Sequence, residues 1–133
     1  MQTETDTNAV SGTVCALLRA EGLAVFAAAT LLYFTSGGVW WVYTLLLFAP
    51  DLSFFGYAGG NKVGAVIYNV AHTYIMPILL GMVGVALKIE LLQQLALIYL
   101  AHIGLDRSLG YGLKYASGFK HTHLGRLPGR RKD

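Results

Sequence analysis

Asp51, His72, His102 and Asp106 lie inside stretches of chain that are otherwise apolar enough to be buried in a membrane. Hydrocarbon solvates neither a carboxylate nor an imidazole. Such residues persist there only where they meet one another, a bound ion or a water-filled cavity. An aspartate at the centre of a membrane helix costs about 2.5–3.5 kcal/mol on insertion scales, so several of them are a functional signal. His102 and Asp106 are spaced i, i+4 and share one helix face. An imidazole and a carboxylate so placed can ligate one metal ion, or the carboxylate can orient the imidazole from behind. Asp51 follows Pro50, with Ser53 soon after, and has no basic side chain in its own segment. Its partner must be His72, His102 or a cation.

His72 stands one turn beyond Asn69 and is followed by Tyr74 and Pro77. A proline inside a helix leaves the carbonyl four residues earlier without its donor. That carbonyl belongs to Thr73 for Pro77 and to Leu46 for Pro50, so polarity collects at both points and both segments bend. Glu21 sits near Arg19 at the start of another apolar run. Snorkelling to the membrane interface accounts for it; a place in the same polar site is the alternative.

The elements that must position these residues follow from composition. The chain has 133 residues, 55% hydrophobic and 13% charged, with a mean hydropathy of +0.53. Soluble domains carry about 25% charged residues, so the deficit points to a membrane solvent. Four apolar segments each approach the ~20 residues that a spanning helix needs. They run from about Leu17 to Phe34, Val39 to Ala58, Val63 to Leu87 and Leu91 to Leu109, with turns at 35–38, 59–62 and 88–90. The fold class is all-α, a four-helix transmembrane bundle. A polar tail (1–14) precedes the membrane domain (15–109), and a basic juxtamembrane tail (110–133) follows it. Met1–Gly12 lacks the basic start and short apolar core of a cleaved signal. The single cysteine, Cys15, excludes an internal disulfide.

Four spans put both termini on one side, with Arg19, Lys62, Arg107 and the basic residues of the tail; the other side has Lys88, offset by Glu90. The positive-inside rule makes the termini cytoplasmic in a bacterial inner membrane. Helix rise places Asp51 and His102 each about 10 Å from the cytoplasmic face, Asp106 nearer still and His72 at roughly mid-depth. All four fall in the inner half. Ala16, Ala20, Ala24 and Ala28 form a smooth stripe for helix contact, as do Gly56, Gly60 and Gly64, and then Gly104, Ser108 and Gly112. Contacts within one chain account for these stripes; a homo-oligomer interface is the alternative.

In the tail, Tyr111, Tyr115 and Phe119 recur every fourth residue and suit an interfacial segment. Lys114, Lys120 and the cluster Arg126–Lys132 suit anionic lipid headgroups. His121 and His123 are either solvated or fold back as further ligands. Nothing indicates nucleic-acid binding: the basic residues accompany no recognition motif. A phosphate loop, a His-Glu-x-x-His helix and a nucleophile elbow are all absent from the sequence, and four histidines are too few for a histidine-box di-iron site.

The phrases Ala49-Pro50-Asp51-Leu52-Ser53, Tyr68-Asn69-Val70-Ala71-His72-Thr73-Tyr74 and Ala101-His102-Ile103-Gly104-Leu105-Asp106-Arg107 resemble those of a family of small bacterial integral-membrane proteins. So do Leu109-Gly110-Tyr111-Gly112-Leu113-Lys114-Tyr115 and the later Gly118-Phe119-Lys120 and Thr122-His123-Leu124-Gly125. That family is described only as a domain of unknown function. The likeness covers roughly Leu17 to Gly125, implies four spans and brings no activity with it. A looser similarity is to membrane-bound metal-dependent hydrolases, small multi-span proteins with His and Asp inside their helices.

Three chemistries follow from the residues. In the first, Asp51, His72, His102 and Asp106 hold a divalent metal, zinc by its taste for imidazole and carboxylate, and a bound water attacks a lipid-like ester or phosphoester. In the second, the same residues relay ions or protons in a channel, carrier or accessory subunit. In the third, His72 and His102 hold a b-type haem, which their unequal depths disfavour. A bundle merely held together by polar contacts is the remaining possibility.

Overall fold

The computed structural model describes residues 12–111, 121–122 and 125–126. The described residues are helical apart from one short ladder in the tail. Helix α1 is Gly12–Thr35 and α2 is Trp40–Leu46; a 3-10 helix, η1, is Ala49–Gly59. Then come α3 (Asn61–Ala71), α4 (Ile75–Ala86) and α5 (Glu90–Leu109). Two-residue strands β1 (His121–Thr122) and β2 (Gly125–Arg126) pair antiparallel, His121 opposite Arg126. Grouped by their turns, the helices make four rods at the positions of the four apolar segments. Two of these, Gly12–Thr35 and Asn61–Ala86, are long and apolar enough to cross a membrane.

Helix α1 is uninterrupted because its sequence is rich in Ala and Leu and lacks proline. The second and third rods are not continuous α-helices, and both prolines lie just past a break. At Pro50 the chain changes pitch: α2 stops at Leu46, and Asp51 N–H bonds the Phe48 carbonyl in the tighter 3-10 pattern at 3.0 Å. At Pro77 the α-helix stops at Ala71 and restarts at Ile75. The proline then falls in the first turn of α4, where its missing N–H has no partner to lose.

Helices α1 and α4 pack along α5, and η1 packs along α3. Ala29, Tyr33, Tyr43, Leu47, Ile98 and Ala101 form an apolar core between α1, α5 and the second rod. The crossing of α1 and α5 is close because it is made by Gly22 against Gly104. A Cβ on Gly104 would lie 2.6 Å from the Gly22 carbonyl oxygen, and one on Gly22 would lie 2.9 Å from Ser108 N. The alanine stripe on α1 does not make this contact: Ala16, Ala20, Ala24 and Ala28 are all exposed. Small residues permit close approach without choosing which face is used. Of the other stripes, Gly56 faces Ile67 and Gly64 faces Tyr57 in the η1–α3 contact, and Gly104 and Ser108 serve α5. Gly110 ends α5 in the left-handed conformation (φ 91°), with Tyr111 N–H reaching back to the Asp106 carbonyl at 2.8 Å.

Candidate metal centre

The two interruptions carry two of the four polar residues to a common point. Asp51 stands in the first turn of η1 and His72 caps the end of α3, while His102 and Asp106 lie one turn apart on α5. His102 Nε2 is 3.1 Å from His72 Nε2, 3.3 Å from Asp51 Oδ1 and 3.2 Å from Asp106 Oδ2. His72 Nε2 lies 3.4 Å from Asp51 Oδ1 and 3.5 Å from Asp106 Oδ2. One donor atom from each residue falls within 4.8 Å of all the others, close enough to share one metal ion. Both imidazoles are buried, at 0% and 1% exposure, and both carboxylates are half-buried.

The equal depth of His72 and His102 corrects the estimate of unequal depths. The unequal depths came from treating every rod as α-helix from an assumed boundary. A haem between the two histidines is excluded here, since their Nε2 atoms are in contact.

The surroundings fix how His72 presents itself. Its Nδ1 lies 2.9 Å from the Tyr68 carbonyl oxygen, which only accepts, so Nδ1 carries a hydrogen. In the neutral ring Nε2 is then a bare lone pair aimed into the cluster. Ser53 Oγ stands 3.4 Å from the same Nδ1, and the Tyr68 ring stacks on the imidazole with centroids 3.8 Å apart. His102 Nδ1 is buried with no hydrogen-bond partner among the described residues.

Of the other sequence candidates, Glu21 is exposed on α1 and lies outside the cluster, and Asn69 is half-buried on α3. Asn69 contributes its carbonyl, which accepts the His72 N–H at 3.3 Å. His121 is described only as backbone in β1, and His123 lies outside the described residues, with Tyr115, Phe119, Lys114 and Lys120.

Arg107 is the residue whose place the sequence concealed. Counted among the cytoplasmic charges by its type, it is buried and donates to the His72 carbonyl at 2.8 Å and the Tyr111 carbonyl at 3.0 Å. It thereby caps the broken end of α3, where the helix dipole is negative. The Tyr99 hydroxyl does the same for the Ala71 carbonyl. The interruption itself was the available signal, because a helix end inside a bundle needs donors.

The family match spans residues 15–127, a range that includes all four residues of the cluster. The chain belongs to the family described as a domain of unknown function (DUF4260). No curated protein and no solved structure matches this DUF4260 chain, so its likeness to the metal-dependent hydrolases rests on the placement of its polar residues alone.

Proposed function

We propose that this DUF4260 protein is a four-span protein of the bacterial inner membrane, termini cytoplasmic, that holds one zinc ion between Asp51, His72, His102 and Asp106. In this reading the ion serves to hydrolyse a lipid-like ester or phosphoester. The observation that carries the metal is the convergence of four lone-pair-bearing atoms on one point. Two protonated imidazoles do not fit a 3.1 Å Nε2 to Nε2 separation, because both hydrogens would point into it. The gap between the two nitrogens therefore holds at most one hydrogen, and a divalent cation would satisfy both of them together with the two carboxylates. Ligands about 2.0–2.1 Å from a tetrahedral zinc lie about 3.3–3.4 Å from one another. Five of the six separations run from 3.1 to 3.5 Å, and all four ligand atoms lie within 4.8 Å of one another. Two imidazole nitrogens favour zinc over magnesium or calcium.

The membrane reading is supported by an inside-out distribution of polarity. Phe55 and Trp40 are 79% and 71% exposed while His72 and His102 are sealed within. A chain folded in water does the reverse.

Four protein ligands close a zinc site, and hydrolysis needs an opening. Asp51 is the ligand suited to yield. Its side chain is 35% exposed against 17% for Asp106, and it sits on η1, which packs along α3. Released, its carboxylate stands beside the vacated position as a general base. Bound zinc would bring a water ionising near pH 7 and polarise an ester oxygen.

Elemental analysis of purified protein tests the metal: one zinc per chain in the wild type and a loss of at least about tenfold in His102→Ala. Negligible metal in both would sink the proposal. Asp51→Asn should retain zinc while losing hydrolysis of an amphiphilic ester in mixed micelles; unchanged turnover would remove Asp51 from the reaction. The ion-relay reading draws on the two interrupted rods, which transporters also place at ion sites. It is tested by proton flux in liposomes, and retained flux in Asp51→Asn counts against it.

A further inference from the structure

Between α1 and the break separating α3 from α4 lies a cavity of about 620 Å3. Leu18, Glu21 and Ala24 line it from α1, Thr73 and Tyr74 from the break, and Arg107 from α5. The walls are mainly apolar, with one acid and one base. Arg107 is 7% exposed, and its guanidinium lies 5.9 Å from the centre of the Tyr74 ring. Its two hydrogen bonds go to carbonyl oxygens, and among the described residues no carboxylate pairs with it. A guanidinium held by carbonyl dipoles alone recovers little of what it lost on leaving water. A divalent ion bound in the neighbouring centre would neutralise Asp51 and Asp106, so those carboxylates would not balance it either. Glu21, exposed on the α1 wall, supplies the opposite charge.

An acid and a base set among apolar side chains match a ligand with an anionic and a cationic group joined to a hydrocarbon chain. We infer that this cavity is a headgroup site for a glycerophospholipid bearing a primary amine, its phosphate at Arg107, its ammonium at Glu21 and its acyl chain along Leu18 and Ala24. The site rests on the membrane reading and deepens it: because Arg107 holds the His72 carbonyl, the headgroup docks one residue away from the metal centre.

The test is lipid titration into delipidated full-length protein, read by native mass spectrometry, with ethanolamine, choline and glycerol phospholipids of identical acyl chains. The ethanolamine lipid should bind roughly tenfold tighter than the other two, because choline offers Glu21 no N–H and glycerol no charge. Glu21→Gln should abolish that preference, and Arg107→Gln should weaken all three. Ala24→Leu obstructs the cavity without touching either charge and should also weaken all three, so the site is tested even where Arg107→Gln does not fold. Equal binding of the three lipids by wild type, or an unchanged preference in Glu21→Gln, overturns the proposal. So does displacement by free phosphoethanolamine at equal concentration, which marks a soluble phosphate ligand. Zinc content of the same samples reports on the metal centre separately: a zinc-free protein with the ethanolamine preference refutes that centre and supports this site. Recovery of the protein from cells without detergent refutes the membrane reading and this site together.

Discussion

His72 donates through Nδ1 to the carbonyl of Tyr68, one turn back on its own helix, and its Nε2 is thereby committed to the cluster. Such a hydrogen bond behind a ligating imidazole sets its tautomer and orientation. The stacked Tyr68 ring adds a second restraint, so Tyr68→Ala should lower zinc affinity without removing a ligand, roughly tenfold by competition with a chromophoric chelator. Protons compete with the metal for both imidazoles. Acid protonates a ligating imidazole and releases its metal, so zinc occupancy should be greatest at alkaline pH and fall on acidification. Equilibrium dialysis across pH 5–8 checks this; occupancy independent of pH would mean that the imidazoles are not ligands. At this scale the sequence was legible where a residue's type conflicts with its setting, as for the four cluster residues. It was misleading for Arg107, whose type agrees with the end of a span while its side chain turns inward to a helix end that no local pattern announces.

Among the elements, the contact of α1 with α5 depends on two glycines whose added Cβ atoms would meet backbone, which cannot move aside as a side chain can. Gly104→Val should therefore cost about 1–3 kcal/mol, measured by thermal or denaturant unfolding in detergent. Ala16→Val and Ala20→Val, on the exposed stripe, should be near neutral. Equal effects from the two sets would mean that α1 uses its alanine face after all. The apolar runs marked the rods to within a few residues, since length and composition are local properties. Neither the stripe in use nor the change of pitch after Leu46 was legible, because both depend on which helix lies alongside. The prolines did announce the two breaks, through the hydrogen bond each one removes.

Across the whole molecule, polar links join the η1–α3 pair to α5: the Tyr99 hydroxyl to Ala71, Arg107 to His72, and the cluster itself. A shared ion would make the cluster a clasp between these two parts. Chelation should raise hydrogen exchange in residues 49–71 several-fold while Gly12–Thr35 keeps its protection. Exchange that rises uniformly, or nowhere, would show that the centre does not join them. Alkaline carbonate should leave the protein in the membrane pellet, as its exposed apolar surface requires.

The sequence by itself determined that the chain is helical, that it has four apolar rods and which polar residues are costly within them, because periodicity, composition and proline chemistry act along the chain. Only the tertiary structure decided that Asp51, His72, His102 and Asp106 meet, that Arg107 turns inward and that Gly22 seats against Gly104. Those outcomes depend on the pitch of η1 and the break after α3, which rotate and raise each side chain by amounts that residue order does not encode.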